Sequence, residues 1–387
     1  MIEELNQEFQ KIYNQKSDLA FFAPGRINLI GEHIDYNGGH VFPCAITFGT
    51  YASVKEREDR KVRLYSKNFE ELGSYEFDLD HLVYDEKDEW TNYVKGVLAI
   101  MQKDGHKLTR GFDVAYEGNI PNGAGLSSSA SLEVVSAVIA DYVNDLNLSK
   151  MEIVKIALRA ENDFVGVQCG IMDQFAVTMG KKNQAMLLDT RTNDFDYAPL
   201  DLKDNVIVIM NTNKQRGLSD SAYNERREQC DQALEILNTV KEEDFLCDHD
   251  LATLNENKNL FEDELVYQRA RHAITENLRT NKAAEVLEED DLEKFGQLMN
   301  ESHKSLRDDY DVTGKELDTI VAAAQKQEGV YGARVTGAGF GGSAIAIVNK
   351  DQVDSFIEAV GSKYEKEIGY AADFYIASPG KGAGKIE

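Results

Sequence analysis

Arg26, Glu32, His33 and Asp35 fall within one short segment, GRINLIGEHIDYNGG at residues 25–39, which opens on a glycine and closes on a glycine pair beside an apolar run. A guanidinium, two carboxylates and an imidazole at that spacing concentrate hydrogen-bond donors and acceptors on a few turns of chain. A second segment, IPNGAGLSSSAS at residues 120–131, runs directly into LEVVSAVIADYVNDL. On a wheel of about 100° per residue that helix is apolar nearly all round, so it is expected to be buried. A buried helix with a glycine- and serine-rich start offers free N–H groups, a positive dipole end and hydroxyls, a combination that suits phosphate. The plainer alternative is an ordinary loop in which Ser127 or Ser128 caps the helix. No lysine follows the last glycine, so this is not a Walker A loop.

Two carboxylates stand in apolar surroundings. The helix expected over residues 149–165 opens on a capping box from Ser149 to Glu152. Lys155, Arg159, Asn162 and Asp163 share a polar face with Glu152, whereas Glu161 falls on the opposite stripe among Ile153, Ala157, Phe164 and Val165. Burying an ionised carboxylate is costly, so a divalent metal, a buried arginine or a set of donors must face it; a buried salt bridge is the structural alternative. A little further on, GIMDQF sets Asp173 in an apolar context just after Gly170. The third glycine-rich segment, VTGAGFGGSAIAIV, matches GxGxxG at Gly337, Gly339 and Gly342. The β-like run SAIAIV follows it rather than a helix, and it lies near the end of the chain, so a tight hairpin or close backbone approach is the better reading than a dinucleotide site.

The elements that must position these residues are mixed. TYASVKE (50–56) and FDVAYEG (112–118) alternate as strands, and two long helical patterns follow. A composition change at DFDYAPLDLKD, residues 194–204, precedes the apolar strand VIVIM and places a boundary near residue 200, giving domains over 1–200 and 201–387. The second half reads strand, helix, an acidic helical region, then GARVTGAG, SAIAIVN, a helix from about Gln352, and FYIAS, which predicts helices on one face of a mostly antiparallel sheet. The acidic stretch AAEVLEEDDLEKF, 283–295, reads as one solvated helix face. The class is α+β.

Size and charge bound the function. A chain of 387 residues exceeds what one core usually supports, so two domains and a cleft are expected. Its 42 basic and 68 acidic residues, net −26, argue against nucleic acid or an anionic membrane as partner. Cys44, Cys169, Cys230 and Cys247 are scattered, which reads as reduced thiols of a cytoplasmic protein, with Cys169 a packing residue near Asp173. The acidic N-terminus lacks a secretory pattern, and no apolar run approaches a membrane span.

Taken in this order and at these distances, the three segments resemble the GHMP small-molecule kinases, and GRINLIGEHIDYNGG resembles the galactokinase signature at nearly every position. The likeness runs from FFAPGRINLIGEHIDYNGGHVFP through IPNGAGLSSSA, MDQF and VTGAGFGGSAIA to SPGKGAG. It implies an N-terminal domain of the ribosomal protein S5-like type, a ferredoxin-like C-terminal domain and a site between them. It also implies transfer of the γ-phosphoryl group of ATP to the C1 hydroxyl of galactose, with Mg2+ as cofactor and a monomeric chain. By the same resemblance, Glu32, His33, Ile34 and Asp35 bind the sugar together with Tyr223. Gly123, Ala124, Gly125, Leu126, Ser127, Ser128 and Ser129 surround the nucleotide phosphates, Ser66 touches the nucleotide, and Ser129 and Glu161 hold magnesium. Asp173 is the implied catalytic base and Arg26 its partner, steadying the transferring group. Two other readings stand beside this one. A sensor that binds sugar and ATP without turnover is disfavoured by the intact SSSAS run with Arg26, Glu161 and Asp173 all present. The other is a related kinase acting on an N-acetylated hexosamine, a pentose or mevalonate, of which mevalonate fits EHIDYNGG least.

Overall fold

The computed structural model describes residues 1–121, 123–167, 169–214 and 219–386, the last segment with its side chains from residue 222 onward. Asn122, inside the segment IPNGAGLSSSAS, lies outside the described residues. The first half contains helix α1 (Ile2–Tyr13) and strands β1 (Leu19–Asn28), β2 (His40–Val41), β3 (Pro43–Glu56), β4 (Lys61–Ser66) and β5 (Ser74–Asp78). Helix α2 (Thr91–Lys103), strand β6 (Phe112–Gly118), helices α3 (Ser128–Val143), α4 (Lys150–Arg159) and α5 (Met172–Met179), and strands β7 (Gln184–Asp189) and β8 (Phe195–Pro199) follow. The second half runs β9 (Asn205–Asn211), α6 (Ser219–Asn238), α7 (Leu251–Glu256), α8 (Glu264–Glu288), α9 (Leu292–Ser305), α10 (Gly314–Ala324), β10 (Val330–Thr336), β11 (Ser343–Asn349), α11 (Val353–Ile368), β12 (Asp373–Ala377) and β13 (Gly384–Lys385).

The first sheet has the order β13-β1-β3-β6-β4-β5, and its pairs are antiparallel except β4 with β6. Strand alternation divides its two faces. Val114, Tyr116 and Leu64 enter the core shared with α2, α3 and α4, whereas Ala115 and Tyr65 turn the other way and are covered by Leu5, Phe9 and Tyr13 of α1. Helix α3 is buried along most of its length, as its apolar wheel predicts. The second sheet, β10-β11-β9-β12, is antiparallel throughout and has the ferredoxin-like strand order.

That second sheet is covered on both faces. Val208, Met210, Ala344 and Ala346 meet Leu317, Ile320, Phe356 and Val360 of α10 and α11. Ile207, Ile209, Ile345 and Ile347 instead meet Phe42, Cys44 and Ile46 of the first half. SAIAIV is apolar without a break because neither face of β11 sees water. The last strand, β13, returns to pair with β1, so the end of the chain belongs to the first sheet although it follows the second in sequence.

Two elements differ from the sequence reading. The helix expected over 149–165 is α-helical only through Arg159; Ala160–Val165 form a π turn, closed where the Gly166 N–H donates to the Glu161 carbonyl at 2.9 Å with Gly166 left-handed at φ 94°. Its start is as expected, with Ser149 Oγ accepting from the Glu152 N–H and Glu152 Oε2 accepting from the Ser149 N–H. The acidic stretch 283–295 is two helices rather than one: α8 ends at Glu288, and Asp291 caps α9 by accepting from the Lys294 N–H. Its carboxylates are solvated, while Ala283, Ala284, Val286 and Phe295 are buried.

Candidate active site

A cavity of about 460 Å³ opens where the three glycine-rich segments meet. Its walls include Arg26, Glu32, His33 and Asp35 from the signature segment, Gly123–Ser129 from the turn before α3, Asp173 from the first turn of α5, Tyr223 from α6, and Gly337–Phe340 from the β10–β11 turn. Four of the glycines in that last turn, at 337, 339, 341 and 342, have positive φ, the hairpin anticipated from sequence.

Asp173 is held by three donors. Arg26 donates from Nε to Oδ1 at 2.9 Å and from Nη2 to Oδ2 at 3.0 Å, a bidentate pair, and the Ser127 hydroxyl donates to Oδ2 at 2.5 Å. Arg26 Nη1 also donates to the Gly125 carbonyl at 2.8 Å, tying the guanidinium to the loop before α3. A carboxylate offers about four lone-pair sites, so one remains directed at the cavity. Ser127 sits at the N-cap position of α3, one of the two expected from sequence, but its side chain makes no capping bond. With the hydroxyl committed to Asp173, the first-turn N–H groups of α3 stay available to an anion at the positive end of the helix.

The polar residues of the signature segment are oriented by the protein. Glu32 accepts from Asn28 Nδ2 at 2.8 Å and from the Gly337 N–H at 2.7 Å, with Arg334 Nη2 2.7 Å away. His33 lies in the left-handed region at φ 63°. Its Nε2 bonds the Ala338 carbonyl at 2.9 Å, which can only accept, so the proton is assigned to Nε2 and Nδ1 accepts from Tyr36 Oη at 2.7 Å. Burial pushes the His33 pKa down to about 4, consistent with this neutral ring. Burial and the neighbouring Asp173 push Asp35 up to about 6. Tyr223 packs at 5.5 Å from the His33 ring and 5.7 Å from Tyr36. Gly170 is dictated by close approach, because a Cβ there would lie 1.9 Å from Asp35 Oδ2.

Two expected members are placed elsewhere. Ile34 is fully buried in the core, where its side chain packs over Gly39 and its carbonyl accepts from the Asn37 and Gly39 N–H groups. Ser66 does not line this cavity; its hydroxyl accepts from the Asn68 N–H and starts the 3-10 turn Lys67–Leu72.

Glu161 lies just behind the cavity wall. It bonds the Ser129 hydroxyl and accepts from Gln174 Nε2 at 2.6 Å, and among the described residues it has no ion-pair partner, which removes the salt-bridge reading. Gln174 Nε2 also donates to Glu133 Oε2 at 3.2 Å. Burial and the Glu161 charge push Glu133 upward, burial and the Asp173 charge push Glu161 upward, and Glu133 Oε1 and Gln174 Oε1 are buried without a partner. A cation-poor group of hard oxygen donors of this kind fits a divalent ion such as magnesium. Glu133, absent from the sequence reading, carries the same signal as Glu161: a carboxylate on an apolar helix. Arg334 had no such signal, because a strand buried on both faces has no polar side against which a charge stands out. Cys169 lines the cavity, and burial with the adjacent carboxylates pushes its thiol up, so it stays protonated and packs. All four cysteines are free thiols.

The galactokinase galactose-binding signature matches residues 7–56, the GHMP kinases N terminal domain residues 92–181 and the GHMP kinases C terminal domain residues 283–366. Galactokinase of Ligilactobacillus salivarius is 56% identical over 373 residues, 96% of each chain. The chain belongs to the galactokinase family. It is an ATP-dependent sugar kinase of the GHMP type. Galactokinase of Streptococcus mutans is 55% identical over 97% of this chain and 96% of its own. The crystal structure of Lactococcus lactis galactokinase complexed with galactose superposes with a TM-score of 0.97 at 46% identity, covering all of both chains. A mevalonate kinase structure shares the fold at a TM-score of 0.66 and 20% identity, over 93% of this chain and 99% of that one. No helix among the described residues is long and apolar enough to cross a membrane.

Proposed function

We propose that this galactokinase-family chain transfers the γ-phosphoryl group of ATP to the C1 hydroxyl of galactose, with Asp173 accepting the proton of that hydroxyl or orienting it. The observation that carries the reading is the position of Asp173: one carboxylate between a sugar-type wall and a helix N-terminus, gripped by Arg26 and Ser127 with one lone pair free. Phosphoryl transfer needs positioning and charge neutralisation more than covalent chemistry, and these are what the residues supply. Glu32, Asp35 and Tyr223 hold the ring hydroxyls and aim one of them at Asp173, while His33, its two ring nitrogens taken by Ala338 and Tyr36, shapes the wall beside them. Gly123–Ser129 and the α3 N-terminus receive the phosphates, and Arg26 steadies the charge that develops on the transferring group.

Glu161 and Ser129 would hold magnesium, which neutralises the phosphate oxygens when bound. Among the described residues no three carboxylate, histidine or cysteine side chains converge on a metal geometry, which suits an ion held largely by the nucleotide itself.

The test is turnover with ATP on galactose, glucose, N-acetylgalactosamine, arabinose and mevalonate, with the phosphorylated position read by NMR. Galactose 1-phosphate as the dominant product is expected. Dominant turnover on another member of the panel would reassign the substrate, and galactose binding without turnover would make the chain a sensor.

A further inference from the structure

Behind Glu32 runs a chain of alternating charge that the phosphoryl transfer does not use. Arg279 Nε donates to Glu276 Oε2 at 2.8 Å, Glu276 Oε1 lies 3.9 Å from Arg334 Nη2, and Arg334 Nη2 lies 2.7 Å from Glu32 Oε2. The side chains become inaccessible inward: Arg279 is 16% exposed, Glu276 and Arg334 are 0%, and Glu32 is 2%. Glu276 is also tied to the backbone before the signature glutamate, since its Oε1 accepts from the Gly31 N–H at 3.0 Å and from the Ser302 hydroxyl. Arg334 donates from Nη1 to the Asn28 carbonyl at 3.2 Å and from Nε to Ser302 Oγ at 3.2 Å. Burial alone would raise the Glu276 pKa, but Arg279, His272 and Arg334 hold it at about 2, whereas burial pushes Glu32 upward against the pull of Arg334.

Buried ion pairs of this sort add little net stability over apolar residues of the same volume, because desolvation cancels most of the attraction. Their geometry points to a different use. Asn28 and Gly337 donate hydrogen bonds to Glu32, Arg334 Nη2 pairs with its Oε2 at 2.7 Å as an ion pair without a hydrogen bond, and the carboxylate keeps lone-pair capacity toward the cavity that it lines. We propose that Arg334 and Glu276 are positioning residues for the sugar: through Glu32 they aim its remaining lone pair at a galactose hydroxyl, and they take no part in nucleotide binding. The inference rests on the galactokinase reading and names residues of the second sheet and α8 as determinants of sugar affinity.

The experiment measures galactose affinity by calorimetry without nucleotide, together with KM for galactose and for ATP, in Arg334→Lys, Arg334→Met and Glu276→Gln. Each folded variant is expected to raise the galactose Kd and KM about tenfold or more while KM for ATP stays within about twofold. Arg334→Met leaves a buried carboxylate unpaired and is the variant most exposed to misfolding; Glu276→Gln keeps shape and most hydrogen bonds and carries the test if that happens. A folded variant with wild-type galactose affinity overturns the proposal, as does a parallel rise of both KM values. Wild-type protein that phosphorylates no galactose would instead overturn the galactokinase reading.

Discussion

Asp35 shows how one residue's surroundings set a measurable property. It sits in the cavity beside Asp173, and burial with that neighbour's charge raises its pKa to about 6. A protonated carboxyl loses acceptor capacity that the sugar hydroxyls need, so the direction follows: the group is ionised and competent above about pH 6 and impaired below it. KM for galactose is expected to rise about tenfold per pH unit below that inflection, with KM for ATP flat over the same range. Asp35→Asn should remove the inflection at the cost of affinity at every pH, and an unchanged profile in that variant would assign the titration to another group. Asp35 and Asp173, with Arg26, Glu32, His33 and Tyr223, were legible from sequence through resemblance of the segments that carry them. Glu133 had a local signal and Arg334 had none, because its strand is buried on both faces and Asn28 and Glu32, which it meets, lie at the opposite end of the chain.

Helix α3 is the element on which the phosphate argument turns. Its apolar wheel and its glycine-serine start predicted a buried helix with an open N-terminus, and the structure adds that the N-cap hydroxyl serves Asp173 rather than the helix. Ser127→Ala therefore separates two roles. Since no cap is lost, the melting temperature is expected to move by no more than about 2 °C, whereas kcat falls about tenfold through a less firmly held Asp173. A large loss of stability with unchanged kcat would return Ser127 to a capping role. The π turn at residues 160–165 marks the limit of wheel arguments. A regular 100° wheel put Glu161 inside, and it is inside, yet the turn that carries it is not α-helical, and only the Gly166 closure reveals that.

At the scale of the whole molecule, the cavity exists because two sheets of different construction share a core. Phe42, just before β3, and Cys44 and Ile46 of β3 share a core with Ile345 and Ile347 of β11, which brings the signature segment beside the β10–β11 turn. Sequence periodicity identified β3, β6 and the four strands of the second sheet, and the family resemblance implied the ferredoxin-like type of that half. It missed the return of β13 to the first sheet, since a two-residue edge pairing has no pattern of its own. The net charge of −26 is consistent with a small-molecule enzyme whose anion site is built from backbone N–H groups and one buried arginine rather than from surface lysines. The measurement that tests this account most directly is single-turnover phosphorylation of galactose by wild-type protein and Asp173→Asn, with galactose and ATP affinities measured on the same samples. The account predicts galactose 1-phosphate from wild type, a fall of about 10²–10⁴-fold in the variant, and little change in either affinity. A variant that keeps more than about a tenth of the wild-type rate would contradict it, because the carboxylate at the centre of the site would then not be needed for the transfer.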